Sequence, residues 1–119
     1  MSTRKLFFED LADSLDVWTR TTCDDLFNED ADLLWTHSPE EFRILRACIR
    51  QHGLSREIME VILSELFRGL SDSFLLILDG ATKLAEHTRI HVVDGEGESL
   101  GEALNEGFME YLFETGRMK

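Results

Sequence analysis

The sequence predicts an α-rich α+β fold: about four helices around one core, with a short β-hairpin or small sheet in the C-terminal half. Three observations predict it. Apolar residues recur at helical spacing through most of the chain. A proline-bearing capping pattern opens one of these stretches at Ser38. A β-branched run at 89–93 then leads into a glycine-rich turn. At 119 residues, 43% hydrophobic and 30% charged, the chain reads as one globular domain spanning residues 1–119.

The first helix is expected over residues 4–27, because Phe7, Leu11, Leu15 and Trp18, then Thr22 and Leu26, share one face. The polar stretch 28–32 interrupts it, and Leu33, Leu34 and Trp35 pack the connection onto the core. Ser38-Pro39-Glu40-Glu41 supplies a capping hydroxyl, a proline at the first helical position and a carboxylate three residues after the cap. Phe42, Leu45 and Ile49 continue that second helix, and Gly53 ends it.

Ser55 caps the third helix, whose stripe is Ile58, Ile62, Leu66 and Leu70, widened by Val61, Leu63 and Phe67. Residues 74–78 are an unbroken apolar run that suits either a continuation of this helix or a buried strand. Only Gly69 interrupts before it and Asp79-Gly80 makes a natural stop, so the helix is the favoured reading. Residues 89–93 read as a strand, with Asp94-Gly95-Glu96-Gly97 as the turn and 98–100 as a brief return. A lone strand leaves its backbone unsatisfied, so the return, a strand at 74–78 or a second copy must pair with it. Ser99 and Glu102 repeat the capping-box spacing, which places the last helix over 100–114, closed by Gly116.

Charge is the strongest functional signal. Twelve Lys and Arg against 24 Asp and Glu leave a net charge of −12. Such a chain repels nucleic acid and anionic membrane and attracts a basic partner. Cys23 and Cys48 match no metal or redox spacing, and the N-terminus lacks the apolar run of a signal peptide, so a cytoplasmic location is expected. His87 and His91 stand four apart and are the candidate metal ligands, with Glu86 or Asp94 nearest. The stretch reads His-Thr-Arg-Ile-His and forms no HExxH, so surface histidines are the favoured reading. Asp94, Glu96 and Glu98 alternate like the start of a calcium loop, but Ser99 and Asn105 stand where it needs glycine and glutamate. No nucleophile elbow or phosphate loop is present, and no cofactor is expected.

What remains favours recognition over catalysis. The expected function is a non-catalytic acidic interaction protein, in its most concrete form an immunity-type inhibitor that masks a basic protein such as a nuclease. Asp94, Glu96 and Glu98 are the candidate partner-binding residues, with Tyr111 as an aromatic anchor. The alternative is a homodimeric domain that binds a small molecule or metal between helices.

Overall fold

A computed structural model describes residues 2–118. Its helices are α1 (Thr3–Phe27), α2 (Pro39–His52), α3 (Arg56–Leu78) and α4 (Leu104–Glu114), with a 3₁₀ turn at Lys83–Glu86. The described residues contain no strand, so the fold is all-α and the expected α+β class with its hairpin is corrected.

The hairpin fails for a local reason and a distant one. Val93 and Ser99 form one isolated antiparallel bridge. The Asp94 N–H donates to the Glu98 carbonyl at 2.8 Å, and the Leu100 N–H to the Val92 carbonyl at 2.9 Å. The Asp94 carboxylate accepts the N–H groups of Glu96 at 2.9 Å and Glu98 at 3.0 Å, closing the turn on itself. The distant reason is that residues 74–78, the apolar run that might have offered an edge, are the last turn of α3. One bridge cannot propagate a sheet.

Helix ends match the sequence at some points and depart at others. α2 begins at Pro39 and stops at Gly53, whose φ of +63° lets its N–H reach the Ile49 carbonyl. The capping box at its start does not form. Ser38 makes no side-chain cap bond; in the same turn Glu40 pairs with Arg43 at 2.6 Å. Ser55 does cap α3, accepting the Ile58 N–H at 3.4 Å.

The last helix starts at Leu104, four residues after the expected position 100. Ser99 cannot cap it, because its hydroxyl accepts the Gly101 N–H at 3.0 Å. Ala103 holds the cap position at φ +52°, with no side-chain acceptor to offer. Asp79, just beyond α3, does the work. Its Oδ1 accepts the Leu104 N–H at 2.7 Å and its Oδ2 the Asn105 N–H at 2.9 Å. A carboxylate at that end also suits the helix dipole.

The chain divides into two compact units, Met1–Ser14 with Arg68–Lys119, and Leu15–Phe67. In the first, Phe8 and Ala12 of α1, Leu75 of α3, and Leu104, Phe108 and Leu112 of α4 are buried around Phe108, which is 0% exposed. Arg4 ties the segment before α4 to this core. Its Nη1 donates to the carbonyls of Leu100 at 3.1 Å and Glu102 at 2.8 Å, and its Nη2 to Ala103 at 3.4 Å. The guanidinium also lies 5.1 Å from the centre of the Phe8 ring. Gly107 makes the room: a Cβ there would overlap the Arg4 guanidinium and stand 3.0 Å from Phe8 Cζ.

In the second unit, Thr22, Cys23, Asp25, Leu26, Leu33 and Ile49 are buried. Arg46 of α2 donates to the carbonyls of Asp25, of Ala31 at 3.0 Å and of Glu29 at 3.3 Å. Asp25 accepts the Trp35 indole N–H at 2.6 Å. Trp35 in turn meets Trp18 and Phe42 edge-on at 5.7 and 5.3 Å between ring centres. Among the described residues no helix is long and apolar enough to cross a membrane.

Removing the carboxylate that caps α4 tests this architecture. Asp79→Ala is expected to lower stability by about 1–2 kcal/mol, the usual cost of losing a cap. Asp79→Asn should cost less, because one acceptor oxygen survives. Thermal melts by circular dichroism read both, and an unchanged Asp79→Ala melt would show that Asp79 is not the cap.

Candidate functional site

The candidate partner residues lie in the first unit, and the structure separates their roles. Asp94 is committed to its own turn. Besides the two amides it accepts the Thr3 hydroxyl at 3.2 Å, and these bonds, led by the Glu96 and Glu98 amides, hold its carboxyl below the usual range. Glu96 and Glu98 are exposed at the tip and flank of the loop. Tyr111 is half-buried on α4, its ring 6.1 Å from that of Phe8, with the Arg117 guanidinium 6.0 Å from its centre. Glu96 and Glu98 are therefore open to a partner, while Asp94 shapes the loop and Tyr111 packs beside Phe8 and Arg117.

A larger acidic feature escaped the sequence reading. Glu106, Glu110 and Glu114 recur every fourth residue on α4, and Glu102 extends the spacing just before the helix. All four are exposed, and none makes an ion pair with a described residue. From Asp94 to Glu114 the chain has seven carboxylates and no lysine or arginine. The i, i+4 spacing carries this signal, and the position of α4 shows it as one ridge. Of the aromatics on that helix, Phe108 faces the core beside Leu112, Tyr111 is half-buried and Phe113 is exposed.

The stripe assigned to the third helix also changes sides. Ile58, Ile62, Leu66 and Leu70 face solvent, while Ser71 and Leu75 are buried and Met59, Leu63 and Phe67 are half-buried. α3 is thus apolar on both faces, and periodicity alone could not tell which one the core takes.

A cleft of about 610 Å³ opens between the end of α3 and the loop before α4, with Asp79, Arg89, His91, Ser99, Glu102 and Glu106 among its walls. Three of these six side chains are already engaged. Both oxygens of Asp79 hold α4 amides, Ser99 holds the Gly101 amide, and Arg89 donates to the Asp79 carbonyl at 3.5 Å. No thiol lines it. Cys23 is buried in the other unit, where burial pushes its thiol up and leaves it a poor nucleophile. His87 and His91 are both exposed, and no group of three His, Cys, Asp or Glu among the described residues could hold a metal ion.

With this geometry in view, the chain was compared with known proteins. No family model, no curated protein and no solved structure matches it.

The Asp94 turn has a pH signature. Its folded carboxyl sits below the ordinary aspartate value of about 3.9, so its contribution is complete above that pH and is lost as pH falls through the lower folded value. A carbon-detected NMR titration should place Asp94 below the ordinary aspartate value, with the backbone amide shifts of Glu96 and Glu98 following the Asp94 curve. An Asp94 value at or above the ordinary one would contradict the turn.

Proposed function

We propose that this chain is a non-catalytic acidic binding protein of the immunity or inhibitor type, which docks a basic protein through the carboxylates between Glu96 and Glu114. The observation that carries the reading is the row of glutamates on α4, none of which forms an ion pair with a described residue. Like charges four apart on a helix destabilise it by about 0.2–0.5 kcal/mol a pair. Carboxylates in the last turn also oppose the helix dipole, and that turn has no basic residue to offset them. A fold that needed the row only for solubility had no reason to concentrate it on one ridge. A partner rich in lysine or arginine relieves the repulsion on binding, so the cost in the free chain becomes affinity in the complex.

Glu102, Glu106 and Glu110 form the middle of the proposed surface, with Glu96 and Glu98 on its loop end. Asp94 contributes by holding the loop, and its negative charge adds to the field. The cysteines, unpaired and with Cys23 buried, support a reducing, cytoplasmic setting for this encounter.

The test uses folded proteins with pI above 9, nucleases among them, assayed for binding to the full chain over a salt series. Replacing Glu106, Glu110 and Glu114 by Gln should weaken the tightest pair by at least about tenfold at low salt and flatten its salt dependence. The same variant should melt higher than the parent in low salt, because the repulsion is gone. Equal affinity and equal salt slope in parent and variant would refute the proposal.

A further inference from the structure

Of the three apolar residues expected to pack the connection after α1, only Leu33 is buried; Leu34 is 89% exposed and Trp35 45%. Both stand at the corner of a tight turn, closed by the Thr36 N–H on the Leu33 carbonyl at 3.2 Å. Corner positions ordinarily go to glycine, proline, asparagine or aspartate, because their backbone preferences suit the turn. A leucine and a tryptophan there serve no backbone need. Trp18 of α1, 52% exposed, meets Trp35 edge-on within the same unit.

We infer that Trp18 and Trp35, with Leu34 next in the turn, form a docking surface for an arginine-bearing segment of a basic protein. Three observations select that occupant. The first is the state of the rings. The Trp35 indole N–H donates to Asp25 Oδ2 at 2.6 Å, and its ring meets both Trp18 and Phe42 edge-on. Edge-on neighbours leave ring faces for a third group, and a ring already held in place loses little freedom on binding. Donation to a carboxylate also leaves the indole face richer in electrons, which suits a cation.

The second is what the chain does with its other rings. The Arg4 guanidinium lies 5.1 Å from the centre of Phe8, and that of Arg117 lies 6.0 Å from the centre of Tyr111. Among the described residues no cation of the chain sits over either indole. Arg46, which reaches the same region, is spent on the carbonyls of Asp25, Glu29 and Ala31. The indole faces are left for a guanidinium from outside.

The third is charge. Residues 21–42, which carry Trp35, hold seven carboxylates and no lysine or arginine. Asp24, Glu29 and Glu40 pair with Arg56, Arg50 and Arg43. Asp30, Asp32 and Glu41 are exposed and form no ion pair with a described residue. Asp32 stands at the base of the turn, its Oδ1 accepting the Leu34 N–H at 2.8 Å. A guanidinium lying flat on an indole keeps its N–H donors free at the edge for such carboxylates, whereas an ammonium has no plane to stack. A second copy is a poor occupant, since two chains of net charge −12 repel. The surface shares no residue with the ridge on α4 and stands without it.

The chain's two tryptophans both lie in this surface, so intrinsic fluorescence reads it directly. The full chain is titrated at low salt with a capped hexapeptide of alternating glycine and arginine. A matching peptide carries citrulline, which keeps the shape of arginine without its charge. The arginine peptide should change the emission saturably, and the citrulline peptide should bind at least about tenfold more weakly. Trp18→Leu should weaken the arginine peptide at least about fivefold, with Trp35 still reporting and the far-ultraviolet spectrum unchanged. Asp32→Asn, which keeps an acceptor for the Leu34 amide, should flatten the salt dependence. The variant with Gln at 106, 110 and 114 should respond to the peptide as the parent does. Equal affinity for the two peptides, or equal affinity of parent and Trp18→Leu, would overturn the inference. So would loss of the response in the α4 variant alone, which would assign the peptide to the ridge. Failure of the ridge in its own salt series leaves this result untouched, so the two readings fail separately.

Discussion

Backbone carbonyls outside helices must find donors, and in this chain arginine supplies them. Arg4 gathers the carbonyls of Leu100, Glu102 and Ala103, and Asp79 answers from the other side of the same segment with acceptors for Leu104 and Asn105. A sheet would have met these needs with a ladder. Without one, a guanidinium and a carboxylate fix where α4 begins and which of its faces turns inward. The arrangement is demanding. It requires the open space at Gly107, the ring of Phe8 beneath the guanidinium, and the left-handed turn at Ala103. Arg46 does comparable work in the other unit, holding the Asp25 carbonyl in the last turn of α1 and those of Glu29 and Ala31 beyond it.

That constraint leads directly to the chemistry of the surface. With α4 held by its first turn and by the burial of Leu104, Phe108 and Leu112, the positions at 106, 110 and 114 have only solvent to face. Glutamate at each of them makes a ridge that repels itself. In the cleft, Asp79, Ser99 and Arg89 are spent on structure, while Glu102 and Glu106 of its walls are exposed.

Local rules were legible in the sequence and long-range ones were not. Pro39 and Gly53 bound α2 where propensity and the left-handed cap place them, and Asp79-Gly80 stops α3, so residues 74–78 are helical. The start of α4 was misplaced because its cap comes from Asp79, 25 residues before Leu104. No reading of neighbours finds that. The Arg4 clamp spans 96 to 99 residues and is equally invisible. The β-branched run at 89–93 had strand propensity without a partner, and one bridge at Val93 is what remains. On α3 the periodicity is real, but two apolar faces share one helix, and the stripe at 58, 62, 66 and 70 is the exposed one. The candidate loop residues were found by charge, whereas the ridge at 102–114 needed the helix phase to become visible.

Native-state hydrogen exchange at Leu104 and Asn105 tests the capping arrangement most directly. Both N–H groups lie in the first turn of α4, where helices have no internal acceptor and amides ordinarily exchange fast. Bonding to Asp79 should make them exchange nearly as slowly as Phe108 in the interior of α4. Exchange as fast as that of Gly95 in the exposed loop would contradict the clamp and, with it, the fixed presentation of the acidic ridge.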